Sequence, residues 1–143
     1  MKLLLTLLGL ALSASAFAQE TPVGRWNSID DKTKKPRAEI RIIDTAGVLS
    51  AKIEKRLDPD AKPDDKCDKC TDDRKDKLVL GLEIVRKVKK LEEPGVWGDG
   101  EILDPENGRV YKVKLTPKDG GKKLDVRGSF GPFGRTQTWV RVE

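Results

Sequence analysis

The sequence predicts an all-β fold, an eight-stranded antiparallel up-and-down barrel. Three observations carry that prediction. Clusters of Gly, Pro, Asn and Asp recur roughly every dozen residues, as turns do between short strands. The segments between them alternate apolar and charged residues with period two. Those segments number eight, and eight hairpin-linked strands close naturally, because closure removes the edge strands that invite aggregation.

The first residues stand apart from the fold. Met1-Lys2 is a short positive start, and Leu3 to Leu12 is an almost unbroken apolar run, too short to span a bilayer as a mature helix. Ala16-Phe17-Ala18 is an A-x-A cleavage site. Residues 1–18 therefore read as a secretory signal peptide cut between Ala18 and Gln19. Without a Cys at the cut, no lipid anchor is expected, and residues 19–143 form a single domain with no membrane span.

The strands follow in order. Val23–Ile29 is the first. Ala38, Ile40 and Ile42 share a face against Glu39 and Arg41, and Leu49, Ala51 and Ile53 oppose Ser50, Lys52 and Glu54. Leu80, Leu82 and Ile84 oppose Glu83 in the fourth. The run from Glu83 to Leu91 also has a helical reading, but Val85 and Val88 among four Lys/Arg favour a strand running to an exposed end. Trp97–Leu103 is the fifth strand. Tyr111, Val113 and Leu115 oppose Lys112 and Lys114; Leu124 and Val126 oppose Lys123, Asp125 and Arg127; Thr136–Val142 is the last. Asp104-Pro105-Glu106-Asn107-Gly108 and Lys118-Asp119-Gly120-Gly121 are among the turns between them.

Composition narrows the chemistry. The 143 residues include 29 Lys and Arg, 24 Asp and Glu, two Cys and no His; 36% are hydrophobic and 37% charged. The missing His excludes Ser-His and Cys-His nucleophile pairs, His zinc sites and His bases. Charges of both signs interleave and aromatics are few, so nucleic acid is not an expected partner. A mature chain of about 125 residues buries roughly two-thirds of its unfolded surface, enough for one core.

Cys67-Asp68-Lys69-Cys70 suits a small-loop disulfide, thiol–disulfide exchange or half a zinc site. Zinc wants four N or S ligands, and redox enzymes place the first Cys at a helix N-terminus; neither pattern is present. A structural disulfide in an oxidising compartment is the favoured reading, tying its loop locally. The surrounding stretch, Leu57 to Lys77, is dense in Asp, Lys and Arg. It lacks the Gly and spacing of a calcium loop, and reads as a solvated, mobile loop. No metal or cofactor is expected. Asp104 and Glu106 flank a turn Pro, Gly120-Gly121 is a hairpin turn, and no acid–base pair or nucleophile motif stands out, so no catalytic residue is assigned.

In Arg135-Thr136-Gln137-Thr138-Trp139, Arg, Gln and Trp share one face. That face either contacts a ligand or closes the barrel, with a last-strand Arg stacked on Trp26. Closure is the preferred role. Glycines around Trp97 suggest a bulge, and Tyr111 shares a core face.

Gly24-Arg25-Trp26 has the G-x-W form found at the start of lipocalin-like and avidin-like barrels, where the Trp plugs one end. The stretches Ile102 to Lys112, Leu124 to Gly128 and Phe133 to Trp139 resemble the bacterial exported family catalogued as domain of unknown function 2147, as do Gly24-x-Trp26, Cys67-x-x-Cys70 and Leu80 to Ile84. The resemblance covers nearly all of the mature chain. It implies a periplasmic lipocalin-like or streptavidin-like barrel and supplies no activity to carry over. The expected function is that of a non-enzymatic envelope protein holding a small apolar or amphipathic ligand or a lipid tail. Its candidate ligand-binding or barrel-closing residues are Trp26, Trp97, Tyr111, Arg135, Gln137 and Trp139. The alternatives are an interaction or structural protein of the envelope with a filled barrel, and a thiol-redox protein using Cys67 and Cys70.

Overall fold

The computed structural model describes residues 20–142. Its strands are β1 (Gly24–Ile29), β2 (Pro36–Thr45), β3 (Val48–Arg56), β4 (Glu83–Lys90), β5 (Trp97–Asp104), β6 (Arg109–Lys118), β7 (Lys123–Phe130) and β8 (Phe133–Arg141). A three-residue 3-10 turn, Asp119–Gly121, precedes β7. Each strand pairs antiparallel with the next and β8 returns to β1, giving the closed eight-stranded barrel the sequence predicts. The expected leader and its cut at Ala18 and Gln19 lie outside the described residues. Among the described residues no helix is long and apolar enough to cross a membrane.

The period-two pattern places its apolar faces inward. Ala38, Ile40, Ile42, Leu49, Ala51, Ile53, Val113, Leu115, Leu124 and Val126 are all buried in one cluster inside the barrel. Three details depart from the sequence reading. The fourth strand starts at Glu83, not Leu80, because Gly81 turns the chain with φ +86°. Leu80 is thrown outward and exposed, while Gly81 N–H still donates to the Ile53 carbonyl at 2.8 Å. The helix-like spacing of Val85 and Val88 comes from Lys87, which is left-handed (φ 62°) opposite an equally left-handed Asp99 (φ 58°). Pairing is interrupted there between Arg86↔Glu101 and Lys89↔Gly98, and both valines stay inside. Glu39 does not stand in water: it is buried, with Arg25 at 3.0 Å and Lys55 at 3.7 Å.

The two ends of the barrel differ. One end is filled. Trp26, Ile42, Leu49, Val88, Leu115 and Leu124 are each at most 2% exposed. Trp26 donates its indole N–H to the Pro22 carbonyl at 2.8 Å. Arg141, the last residue of β8, lies 4.1 Å from the Trp26 ring centroid in a cation–π contact, the stacking expected of a last-strand Arg. Its guanidinium also donates to the carbonyls of Gly121 (2.5 Å), Val23 (2.9 Å) and Thr21 (2.7 Å). Burial lowers the Arg141 pKa from the usual guanidinium value, and these acceptors and the ring face take the place of water.

Arg141→Ala strands three carbonyls and uncovers the Trp26 ring. It is expected to lower unfolding free energy by about 2–3 kcal/mol in a denaturant titration. Arg141→Lys restores the charge but not the fork of donors, and recovers only part of the loss. An unchanged midpoint in Arg141→Ala would show that this end is held by packing alone.

Candidate functional site: the open half of the barrel

The other half of the interior is not filled. The β7–β8 ladder shows why. Its inward pairs are Leu124↔Trp139 at the floor, Val126↔Gln137 above, and Gly128↔Arg135 at the rim. Along β7 the side chains shrink from Leu to Val to Gly. Along β8 they gain polarity from Trp to Gln to Arg. The result is a cavity of about 530 Å³ that widens toward the loops, within the size range of small-molecule sites. Ala38, Ile40, Ile53, Ile84, Leu103 and Val126 supply its apolar wall, with Val79 from the β3–β4 connection.

Trp139 is 2% exposed and belongs to this wall, yet its indole Nε1 has no hydrogen-bond partner among the described residues. The contrast with Trp26, whose indole is satisfied, is direct. A buried donor left unpaired costs about 1–3 kcal/mol. Tyr111 stands half-buried near the rim, and its hydroxyl accepts a hydrogen bond from Asn107 Nδ2 at 3.1 Å. Apart from Tyr111, every ionisable side chain of the cavity wall belongs to a strand end or loop at the mouth.

Ion pairs organise that mouth. Arg37 joins three loops, pairing with Asp30 (4.0 Å), Asp58 (3.5 Å) and Glu106. Arg135 pairs with Asp31. The Asp30 carboxyl is held below its ordinary value, first by the Thr33 and Lys32 backbone N–H groups. At the tip of the β7–β8 hairpin, Phe130 and Phe133 face each other across the turn and are 70% and 77% exposed.

The β3–β4 connection closes one side of the mouth. The solvated, mobile loop expected over 57–77 is instead packed. Cys67 and Cys70 form a disulfide and are both buried, with Cys67 Sγ 3.8 Å from the Pro105 carbonyl. Cys67 N–H donates to the Lys77 carbonyl at 2.8 Å, and Lys66 bridges Leu78. Arg74 is 1% exposed; its Nε and Nη2 clamp the Asp72 carboxylate and its Nη1 donates to the Glu83 carbonyl at 3.0 Å. The charges that suggested a solvated loop mostly point outward, while the inner side carries the two Cys, Arg74 and Val79. Gly108 makes the contact possible: it has φ +74°, and a Cβ there would lie 1.9 Å from the Lys69 carbonyl oxygen. The disulfide thus seats the loop on the β5–β6 turn as well as tying it locally.

Of the six candidate residues, the structure brings Tyr111, Arg135, Gln137 and Trp139 together on the cavity wall. Trp26 sits at the filled end. Trp97 lies outside the cavity, partly buried with Lys90 5.8 Å from its ring, beside the bulge expected between it and Gly100. Sequence reasoning missed Gly128, Val79 and Arg37. Only Gly128 left a signal, as a small residue on the inward face of a strand. A second concavity, about 650 Å³, lies outside β4 to β7 and is walled mostly by exposed charged groups such as Lys87, Lys112, Lys114 and Arg127. No cluster of side chains able to hold a metal ion occurs among the described residues.

Residues 24–141 match the bacterial family DUF2147, described as an uncharacterized protein conserved in bacteria. The chain belongs to this family. Among solved structures, a protein of the human pathogen Helicobacter pylori described as belonging to the lipocalin family superposes with a TM-score of 0.71 at 18% identity, over 85% of this chain and 82% of that one. At that identity the likeness is one of fold, and it bears out the lipocalin-like barrel. No curated protein matches the chain.

Two outcomes follow from the mouth. Replacing Cys67 and Cys70 together by Ala is expected to cost about 2 kcal/mol, since the closed loop is short, while far-UV dichroism keeps the barrel signature. Loss of that signature would give the bridge a larger role than seating a loop. Asp73 is gripped by both Arg86 terminal nitrogens, at 2.9 and 2.8 Å, which lowers its carboxyl from 3.8 to about 2. Its contribution to stability is therefore complete above about pH 4 and lost as pH falls toward about 2. A carboxyl NMR titration should place its midpoint near 2, and Asp73→Asn should remove that part of the acid dependence. A midpoint at the ordinary 3.8 would mean the pair is absent in solution.

Proposed function

We propose that the chain is an exported, non-catalytic barrel that holds one small apolar or amphipathic molecule in its open half. The observation that carries this reading is the cavity of about 530 Å³, walled by aliphatic side chains and entered through a charged rim. Such a site favours an apolar body within and a polar end at the rim. The non-catalytic part is supported by the absence of His from the chain and by the placement of the ionisable wall groups at the mouth, where Arg37 and Arg135 are engaged in ion pairs. Export to the periplasm is supported by the leader-like residues 1–18 and by a disulfide between the only two Cys. The buried disulfide lends no support to thiol exchange, which needs an accessible, activated sulfur. A second reading, an envelope protein acting through a protein partner, draws on the exposed Phe130 and Phe133 beside the mouth.

Native mass spectrometry on protein taken from a periplasmic extract without refolding tests the main reading. An excess mass that disappears on denaturation is expected, and gives the ligand's size. Bare polypeptide mass, with no uptake of added apolar probes, would overturn ligand binding and favour the partner reading.

A further inference from the structure

Charges of both signs interleave along the chain, but the fold sorts them. β6, β7 and β8 together carry eight Lys and Arg and a single acid, Asp125. The β3–β4 connection, with eight Asp between Leu57 and Lys77, lies across the mouth from the β7–β8 hairpin. Position along the strands matters as much as number. Lys118 and Lys123, at the filled end, are paired with Asp125 (3.7 Å) and Asp119 (3.4 Å). Lys112, Lys114 and Arg127, closer to the mouth, hold no ion pair among the described residues. With Lys87 they wall the outer concavity, four cations against two acids, Asp99 and Glu101. That leaves a positive surplus open to an anionic partner.

The same strands end in an apolar tip. Phe130 and Phe133 are the most exposed large hydrophobic side chains among the described residues, and Val110 is exposed on the neighbouring strand. The turn between the two Phe is Gly131-Pro132, and a Cβ built on Gly131 would meet nothing within 4 Å, so the tip stands clear of the barrel. Lys112 pairs with Ser129, one residue from Phe130, and Lys114 pairs with Arg127, three residues from it. At the rise of a β-strand these cations sit roughly 3–10 Å behind the tip. A lipid surface has the matching profile, since peripheral segments bury apolar groups about 5–10 Å into the boundary below the headgroups. We propose that the β7–β8 hairpin docks the barrel on an anionic lipid bilayer. Phe130 and Phe133 enter the boundary between headgroups and acyl chains, and Lys112, Lys114 and Arg127 meet headgroup phosphates. The cavity opens at the same end, so a docked barrel turns its mouth toward the lipid. Docking goes beyond the ligand-binding reading and does not depend on it.

Vesicle co-sedimentation tests it. The protein should pellet with vesicles of phosphatidylcholine mixed with anionic phosphatidylglycerol, and bind vesicles of phosphatidylcholine alone about tenfold more weakly. Phe130→Ser with Phe133→Ser should weaken binding to the mixed vesicles by about tenfold or more. Lys112→Gln with Lys114→Gln should weaken it by about tenfold as well, and change nothing on the neutral vesicles. All four side chains are exposed, so both variants should melt at the wild-type temperature. In wild-type protein, a spin label carried by the lipid should broaden the Gly131 and Gly134 amide signals first, a readout that needs no variant. Failure to pellet with either vesicle, equal binding to both, or full binding to the mixed vesicles by either variant would overturn the proposal. So would broadening centred on another part of the barrel. A co-purifying protein lost from the Phe variant, with no vesicle binding by the wild type, would overturn it in favour of a protein partner.

Discussion

Everything in this molecule depends on the seam between its first and last strands. Seven of the eight strand contacts are made between neighbours in sequence. The eighth, β1 with β8, must join chain ends, and it pairs only Trp26↔Arg141 and Asn27↔Val140. Antiparallel pairing alone is modest over so short a stretch. The side chains of the same residues complete it. The Trp26 ring fills the end of the barrel, and Arg141 covers the ring while its donors gather three carbonyls from two separate segments, Thr21 and Val23 before β1 and Gly121 before β7. Closing the sheet and plugging this end of the interior are thus one interaction.

That division of labour explains how one short chain is both stable and hollow. In an eight-stranded barrel the interior is just wide enough for side chains to fill. Here the lower residues do fill it: Ile42, Leu49, Val88, Leu115 and Leu124 are all at or below 2% exposure. Above them Ala38, Gly128 and mid-sized aliphatics leave room. The ion pairs of Arg37 and the disulfide-bearing connection then hold the rim in place without occupying the space inside it.

Much of the fold was legible because period-two alternation is dictated by the pleat, and a closed sheet obeys it nearly everywhere. It failed where single residues left the β region. Gly81 breaks the alternation that runs from Leu80 in the sequence, and Lys87 opposite Asp99 puts Val85 and Val88 on one side. The strand carrying Arg135, Gln137 and Trp139 was legible as one face, but not the emptiness before it, because volume depends on what the facing strands contribute. The β3–β4 connection was the least legible part. Its charges are real and mostly exposed, yet its conformation is set by contacts distant in sequence, such as Lys69 against Gly108, that composition does not encode.

The seam also dictates an order of events. The bond from Arg141 to the Val23 carbonyl joins residues 118 positions apart. Hairpins form locally and early, but a ring sealed by its own two ends stays incomplete until the final strand has been synthesised. Until then β1 and β7 are both exposed edges, each a template for pairing with another chain. Until β8 docks on β1, the folding chain passes through a period as an open sheet. The residue that ends that period is Arg141, paired with Trp26 across the seam.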